Sequence, residues 1–277
     1  MAATDLVRAS TRVAMVWPRI AIVHRDVADV RAEPKAESEL VDQVHFGENA
    51  RVLGEDRDWR YVQAADQYFG WIRADDLDVM DGYGEAFVVA VLLADVRDAA
   101  RTDAEVISGL PTGTLVRPRI EDQQPGGWRY TRLGRGRHGY LTAGDLVDIG
   151  QLPHRPPTSD DYLKTAESFI GVPYLWGGTT ALGLDCSGLV QQVYRLNGVA
   201  LPRDADQQAM LGRKVEEARA GDLMFFGADS VTHVALATSK TEFIHAPMTG
   251  GVVEHSRLSG DRNLLGIRRY LPDVSSA

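Results

Sequence analysis

An internal repeat in the first half of the chain constrains the fold more than any other feature. Asp-Val-Arg at 29–31 recurs at 95–97, an offset of 66 residues, and Trp-Arg-Tyr at 59–61 recurs at 128–130, an offset of 69. A three-residue insertion near 123–127 explains the change in offset. Each copy also ends on a Gly-aromatic-aliphatic run and then Asp-Leu, at 70–72 and 76–77 and again at 139–141 and 145–146. Landmarks in the same order at nearly constant spacing predict two copies of one small unit.

Within each copy, apolar and polar residues alternate over short runs that are separated by glycine-containing turns. This alternation predicts antiparallel strands and therefore a small β-barrel for each copy. The Trp-x-Tyr strand, the Gly-aromatic-aliphatic run and the final Asp-Leu resemble bacterial SH3 (SH3b) domains. The resemblance covers roughly residues 18–80 and 86–149.

A proline-rich segment at 150–158 follows the repeat and predicts a linker, because its three prolines cannot continue a helix or a central strand. A helix is predicted to begin near Ser159 or Asp160, with Asp161 in its first turn, and to end at Gly171. A second helix is predicted after Cys186, from the apolar spacing of Leu189, Val190, Val193 and Tyr194, with Gly198 as its stop.

Cys186 is the single cysteine of the chain, so no internal disulfide can form. A lone cysteine is most often a small buried hydrophobic residue. Cys186 instead occupies the first turn of a predicted helix, where the positive end of the helix dipole favours the reactive thiolate. Burial against an apolar sheet would act in the opposite direction, so a nearby base is required.

Two histidines are placed to supply that base. Buried strands are predicted at 221–227, 233–237 and 242–246, and they carry His233 and His245. If the strand faces that bear these residues look at the Cys186 helix, His233 can deprotonate the thiol and His245 can hold the His233 imidazole in the required tautomer. A zinc site of one cysteine and two histidines is the alternative, although these residues lack short ligand spacing.

Five motifs in order resemble the NlpC/P60 peptidases, which are papain-like enzymes of bacterial cell-wall metabolism. The motifs are Pro-Tyr-Leu-Trp-Gly-Gly at 173–178, Asp-Cys-Ser-Gly-Leu-Val at 185–190, Gly-Asp-Leu at 221–223, His-Val-Ala at 233–235 and Phe-Ile-His-Ala at 243–246. The resemblance covers about residues 159–272. It implies an α+β fold, a papain-like domain preceded by two SH3-like β-barrels, and catalysis by Cys186, His233 and His245 without a cofactor or a metal.

The tandem barrels narrow the resemblance to the γ-D-glutamyl-L-diamino acid endopeptidases of murein-peptide recycling. That subgroup implies cleavage after γ-D-Glu in free peptides that begin with L-Ala, with a thioester intermediate and with the first barrel selecting a free amine. The residues it implies for substrate binding are Asp204, Tyr68, Glu33, Trp176, Asp185 and Ser187. Tyr174 is implied as an oxyanion donor. Ala205 stands where family members often carry serine, so one substrate hydrogen bond is in question.

Ordinary roles are available for most of these residues. Tyr174 and Trp176 could pack beside each other, and Asp204 could cap a short helix through Gln207 and Leu211. Glu33 and Tyr68 would be ordinary surface residues in most barrels.

The expected domains are 1–82 and 83–150 for the barrels, 151–158 for the linker and 159–277 for the catalytic domain. The net charge of −9 argues against a nucleic-acid partner, and no apolar run is long enough to span a membrane. No obligate protein partner is expected. Residues 1–18 lack the apolar core of a secretory signal, so a cytoplasmic location is expected, or an extracytoplasmic one if a leader was removed.

Three alternatives remain open from the sequence. The first is a broader D,L-endopeptidase that acts on polymeric peptidoglycan, with the barrels as wall anchors. The second is a cell-wall-binding protein without catalytic activity, against which the complete Cys/His/His set argues. The third is acyl transfer on lipid, which no basic amphipathic segment supports.

Overall fold

The computed structural model of the protein describes residues 19–78, 86–117, 123–124, 126–152, 155–260 and 263–271. Several sequence-based expectations fall outside these residues: the character of the segment 1–18, the boundary at 82–83, part of the insertion near 123–127, residues 153–154 of the linker and the end of the chain from 272. In the described residues no helix is long and apolar enough to cross a membrane.

The first β unit is one antiparallel sheet with the strand order β3-β2-β6-β5-β4-β1-β7. A single turn of 3-10 helix at Ala74–Asp76 separates its last two strands. The strands β1 to β7 are Arg19–Val23, Val27–Arg31, Leu40–His45, Asn49–Asp56, Trp59–Gln63, Phe69–Arg73 and Leu77–Asp78.

The second β unit has a five-stranded sheet, β10-β9-β14-β13-β12, and a three-stranded sheet, β11-β8-β15. A 3-10 turn again precedes the last strand, at Ala143–Asp145. The strands β8 to β15 are Phe87–Val89, Leu93–Arg97, Val106–Pro111, Leu115–Val116, Gln123–Gln124, Trp128–Gly134, Arg137–Thr142 and Leu146–Asp148.

The strand registers of the two units match at the landmark residues of the repeat. Arg31 lies opposite Trp71 in the first unit, and Arg97 lies opposite Tyr140 in the second, which reproduces the offsets of 66 and 69 found in the sequence. The ion pair between Asp29 and Arg31 likewise recurs between Asp95 and Arg97. The two copies therefore share one fold.

Gly70 and Gly139 show why the repeat keeps glycine at one position. A Cβ atom at Gly70 would overlap Cγ1 of Val30 and would lie 2.9 Å from the Arg31 carbonyl oxygen. A Cβ atom at Gly139 would overlap Cγ1 of Val96 and would lie 2.9 Å from the Arg97 carbonyl oxygen. The closing strand can cross the second strand of each unit only where a side chain is missing.

The third unit is an α+β domain whose six-stranded sheet has the order β18-β23-β19-β20-β21-β22. Its helices α1 to α3 are Ser159–Glu167, Cys186–Leu196 and Ala205–Ala209. Strands β16 to β23 are Thr179–Thr180, Gly183–Leu184, Arg213–Val215, Leu223–Phe226, His233–Ala237, Glu242–His245, Glu254–Arg257 and Leu264–Arg269. This is the α+β fold expected from the sequence.

Helix α1 begins at the predicted residue but ends before Gly171. Thr158 and Asp161 form a capping box, and Arg155 donates to both oxygens of Asp161. After Glu167 the backbone N–H groups of Phe169 and Ile170 bond three residues back, so the chain tightens into turns. Phe169 is still fully buried, which is why the apolar spacing appeared helical beyond the true end.

The six-stranded sheet has two apolar faces. One face, with Leu223, Phe225, Val234, Leu236 and Ile244, packs against helix α2 in the main core. The other face belongs to a second core that contains Met224, Phe226, Ala235, Ala237 and Phe243. Helix α2 is therefore held against the middle of the sheet.

Candidate active site

Cys186 is the first residue of helix α2, and Asp185 occupies the N-cap position. Asp185 Oδ1 accepts from the Gly188 backbone N–H at 2.6 Å, and Oδ2 accepts from the Gly177 N–H at 2.9 Å. One carboxylate therefore fixes both the start of the helix and a loop beside it. The Cys186 side chain is 8% exposed, which places the thiol at the floor of a cleft.

Burial outweighs the helix dipole at this cysteine. Loss of water raises the pKa of Cys186 to about 11, and the Asp185 charge adds to the rise, while the backbone N–H groups of Val234 and Ser187 oppose it. The thiol is therefore protonated at neutral pH unless a neighbouring base accepts its proton. The sequence-based expectation that the helix dipole would favour the thiolate gives way here to desolvation.

His233 and His245 lie next to each other at the ends of their strands. His233 Nε2 is 2.8 Å from His245 Nδ1, and His245 Nε2 is 3.1 Å from the Ser256 hydroxyl. His245 is almost fully buried. The bond from the Val234 N–H to the thiol places Cys186 beside the first residue of β20, which is His233. His233, His245 and Ser256 are thus joined by hydrogen bonds, and this series begins at the residue before Val234.

The sequence-based condition that the strand faces bearing His233 and His245 look at helix α2 does not hold. Strand alternation and ring contacts place His233 with Phe226 and His245 with Phe243, on the sheet face that does not pack against α2. The residues that face α2 are Val234 and its neighbours on the main core side. His233 is the first residue of β20 and His245 the last residue of β21, so both histidines lie where these strands end rather than on the face that packs against α2.

The contact between the two histidines also argues against a shared zinc ion. Two nitrogens on one tetrahedral zinc, each at 2.0–2.1 Å from the metal, lie roughly 3.3 Å apart. His233 Nε2 and His245 Nδ1 are 2.8 Å apart, which is the distance of a direct hydrogen bond. Within the described part of the chain no group of three His, Cys, Asp or Glu side chains is arranged to hold a metal.

A cleft of about 280 Å³ opens above Cys186 between the catalytic domain and the first barrel. Trp176 lines it with a side chain that stays 59% exposed, and its Nε1 donates to Glu39 Oε1 at 2.9 Å. Tyr174 lines it as well. Burial, together with the nearby Cys186 and Asp185, raises the pKa of Tyr174 to about 12, so its hydroxyl remains a donor at neutral pH.

One wall of the cleft is a contact between Tyr68 of the first barrel and Asp204 of the catalytic domain. The Tyr68 hydroxyl donates to Asp204 Oδ2 at 3.1 Å, and Gln207 Nε2 donates to the same oxygen at 3.2 Å. Asp204 is at the N-cap position of α3, yet its side chain makes no capping bond. Burial raises the pKa of Asp204. Its carboxylate is directed to the domain interface rather than to the helix.

The structure does not place Glu33 in the cleft. Its side chain is 63% exposed and forms an ion pair with Lys35 on the surface of the first barrel. The acidic residue that the first barrel contributes to the cleft is Glu39, on the same strand connection but six residues later. The sequence did not single out Glu39, because nothing local marks which end of that connection faces the catalytic domain.

Asp185 and Ser187 line the cleft, but their side chains bond within the protein. Arg203 donates to both oxygens of Asp185, at 3.0 and 2.7 Å, and to the Ser187 hydroxyl at 2.9 Å. Arg203 is fully buried, and its Nε donates to Asp42 of the first barrel at 3.0 Å. Sequence reasoning missed Arg203 and Asp42, which lie 161 positions apart.

Comparison with known proteins identifies the family of the chain. The sequence pattern of the NlpC/P60 family matches residues 171–264, and that of the bacterial dipeptidyl-peptidase Sh3 domain matches residues 30–77. Dipeptidyl-peptidase 6 of Lysinibacillus sphaericus is 31% identical over 86% of this chain and 91% of its own length. The chain belongs to the NlpC/P60 family. It is a cysteine peptidase with a bacterial SH3 domain in front of the catalytic domain.

Two further similarities extend over most of the chain. The γ-D-glutamyl-L-lysine dipeptidyl-peptidase of Bacillus subtilis (strain 168) is 28% identical over 92% of this chain and 90% of its own length. A crystal structure of an NlpC/P60 family protein from Bacillus cereus superposes with a TM-score of 0.79, covering 92% of this chain and all of the other, at 24% identity. That structural match shows that the overall fold is shared over most of the chain.

Proposed function

We propose that the protein hydrolyses the γ-D-glutamyl bond to a diamino acid in free murein peptides that begin with L-Ala. The choice of bond is supported by two relatives, from Bacillus subtilis and Bacillus cereus, that are each named γ-D-glutamyl-L-lysine dipeptidyl-peptidase. The proposed selectivity for free peptides depends on one observation, the wall that Tyr68 and Asp204 form across the cleft. A small cleft closed by a carboxylate suits a short peptide with a terminal ammonium group.

In the proposed reaction Cys186 is the nucleophile and His233 is the base. His233 Nε2 is bonded to His245 Nδ1, so Nδ1 is the ring nitrogen that takes the thiol proton. As the sulfur–carbon bond forms at the γ-carbonyl, the negative charge moves to the carbonyl oxygen. The Tyr174 hydroxyl, which remains protonated, is the proposed donor to that oxygen.

The tetrahedral intermediate then loses the amine of the diamino acid, which takes the proton held by His233, and a thioester remains on Cys186. His233 next removes a proton from water as the water attacks the thioester. The sulfur–carbon bond breaks, the thiol recovers its proton and L-Ala-γ-D-Glu leaves with a free γ-carboxylate. Every proton in this sequence passes through one imidazole, whose tautomer His245 and Ser256 keep in place.

The amine end of the substrate is assigned to Asp204. Its half-buried carboxylate accepts a hydrogen bond from Tyr68, whose own pKa is raised by burial and by Asp204, so the tyrosine stays protonated and can donate. Glu39 and Asp206 add negative charge to the same cleft. An ammonium group fits this surrounding, whereas an acylated nitrogen brings no charge and adds bulk against the ring of Tyr68.

The test is product identification by mass. L-Ala-γ-D-Glu-L-Lys and L-Ala-γ-D-Glu-diaminopimelate are each incubated with the protein, and we expect L-Ala-γ-D-Glu and the free diamino acid. Cys186→Ala, with thermal unfolding measured to show that it is folded, is expected to give no product. Release of D-Ala-containing or glycan-linked fragments from intact peptidoglycan, with no cleavage of either tripeptide, would instead favour the broader wall hydrolase.

A further inference from the structure

The two barrels carry different residues at one buried strand position, and of the two side chains only that of the first barrel is hydrogen-bonded to the catalytic domain. Asp42 lies opposite Val30 in the first barrel, and Ser108 lies opposite Val96 at the matching position in the second. Both side chains are buried. The hydroxyl of Ser108 has no hydrogen-bond partner, whereas the carboxylate of Asp42 binds Arg203 of the catalytic domain. Only the first barrel places an acidic group at this position.

Arg203 connects that carboxylate to the nucleophile. Its Nε donates to Asp42, and its two terminal nitrogens donate to the two oxygens of Asp185, the N-cap residue directly before Cys186. A guanidinium group is planar and rigid, so a partner that fixes Nε also fixes the direction of both terminal N–H groups. The orientation of the Asp185 carboxylate is therefore set from the first barrel.

We propose that Asp42 is a positioning residue for Cys186, acting through Arg203 and Asp185, and that the first barrel is thereby part of the catalytic apparatus. The same Asp185 carboxylate holds the Gly188 and Gly177 backbone N–H groups, so a rotated guanidinium group would shift the start of α2 and the cleft loop together. This inference rests on Cys186 being the nucleophile and is independent of which peptide is cut.

Stability alone does not account for this buried group. Burial raises the pKa of Asp42 well above its usual range, and the nearby Asp66 charge adds to the rise, while the Arg203 charge opposes it. Replacing buried ion pairs with apolar residues is often neutral or stabilising, so a buried carboxylate at this place is weak evidence for a stabilising role. A role in fixing one geometry of Arg203 accounts better for a buried oxygen acceptor at this position.

The test uses the rate at which iodoacetamide alkylates Cys186, measured from pH 6 to 10 without substrate. Cys186 is the only cysteine, so the rate reports this thiol alone. Asp42→Ser gives the first barrel the residue of the second. We expect it to slow alkylation at pH 7 roughly tenfold and to move the pH profile upward, because a displaced thiol transfers its proton to His233 less readily.

Three further variants control this result. Asp42→Asn keeps an oxygen acceptor for Arg203 Nε and should alkylate within about threefold of the wild-type rate. Arg203→Lys keeps the positive charge but cannot bridge both carboxylates, so it should resemble Asp42→Ser. Ser108→Ala in the second barrel should leave the rate unchanged. Thermal unfolding of each variant identifies any protein that is not folded at the assay temperature.

Folded Asp42→Ser and Arg203→Lys proteins with the wild-type pH profile would overturn the proposal, even if both melt at lower temperatures. A lower melting temperature with an unchanged profile is the result expected of a purely structural residue. If the alkylation pattern is found but neither tripeptide is cleaved, the proposed substrate is wrong and the positioning role of Asp42 still holds.

Discussion

Substitution of Asp204 by asparagine isolates the proposed ammonium site. In the wild type the Tyr68 hydroxyl lies 3.1 Å from Asp204 Oδ2. The asparagine amide keeps the shape of the side chain and an oxygen that can accept this hydrogen bond. Only the negative charge is removed. A hydrogen bond to a charged group contributes about 1.5–3 kcal/mol, and the half-buried position of Asp204 keeps solvent screening partial. We therefore expect a loss of about 2 kcal/mol, or roughly 30-fold in kcat/KM, for free-amine peptides.

The assay compares L-Ala-γ-D-Glu-L-Lys with its N-acetylated form in the wild type, Asp204→Asn and Asp206→Asn. Asp206 carries the same charge in the same cleft but is exposed, so Asp206→Asn should change kcat/KM less than about threefold. The loss in Asp204→Asn should be confined to the free-amine peptide. Equal losses for the free and acetylated peptides would refute the assignment of Asp204 to the ammonium group.

Three other sets of substitutions test separate parts of the structure. His233→Ala should reduce kcat more than His245→Ala, since His233 moves the proton and His245 orients it; equal residual rates in folded proteins would contradict these roles. Burial lowers the pKa of His45 to about 4, so the free energy of unfolding of the wild type should fall as the pH drops from 6.5 towards 4. His45→Gln cannot take up this proton, so in urea unfolding its free energy of unfolding should fall by about 2–3 kcal/mol less over the same pH range. Gly139→Ala should lower the free energy of unfolding by about 1–3 kcal/mol, because its Cβ would overlap Val96, whereas Gly144→Ala, whose Cβ meets only ordinary contacts, should change it little.

The sequence predicted the parts of this fold that depend on local pattern. The repeat landmarks gave two units with matching strand register, and the start of α2 at Cys186 and of β20 at His233 follow from helical spacing and strand alternation. These features are local because each is determined by a period of two or 3.6 residues within one element.

The parts that the sequence could not give depend on how the first barrel sits against the catalytic domain. Glu39 and Asp42 carry no local signal of their partners, since the contact of Glu39 with Trp176 and that of Asp42 with Arg203 each join residues more than 130 positions apart. Glu33 was predicted from the family resemblance alone, and the structure places Glu39 of the same connection in the cleft instead. Strand alternation also could not show that His233 and His245 belong to the sheet face that does not pack against α2.

The most direct test of the account is the ratio of kcat/KM for L-Ala-γ-D-Glu-L-Lys to that for the same peptide acetylated on its terminal nitrogen, measured with the wild-type protein. The wall of Tyr68 and Asp204 predicts a ratio of about one hundred or more, because acetylation removes the charge that Asp204 binds and adds bulk beside Tyr68. A ratio within about threefold of one, with both peptides cleaved through Cys186, would contradict the account and indicate a peptidase that does not select a free N-terminus.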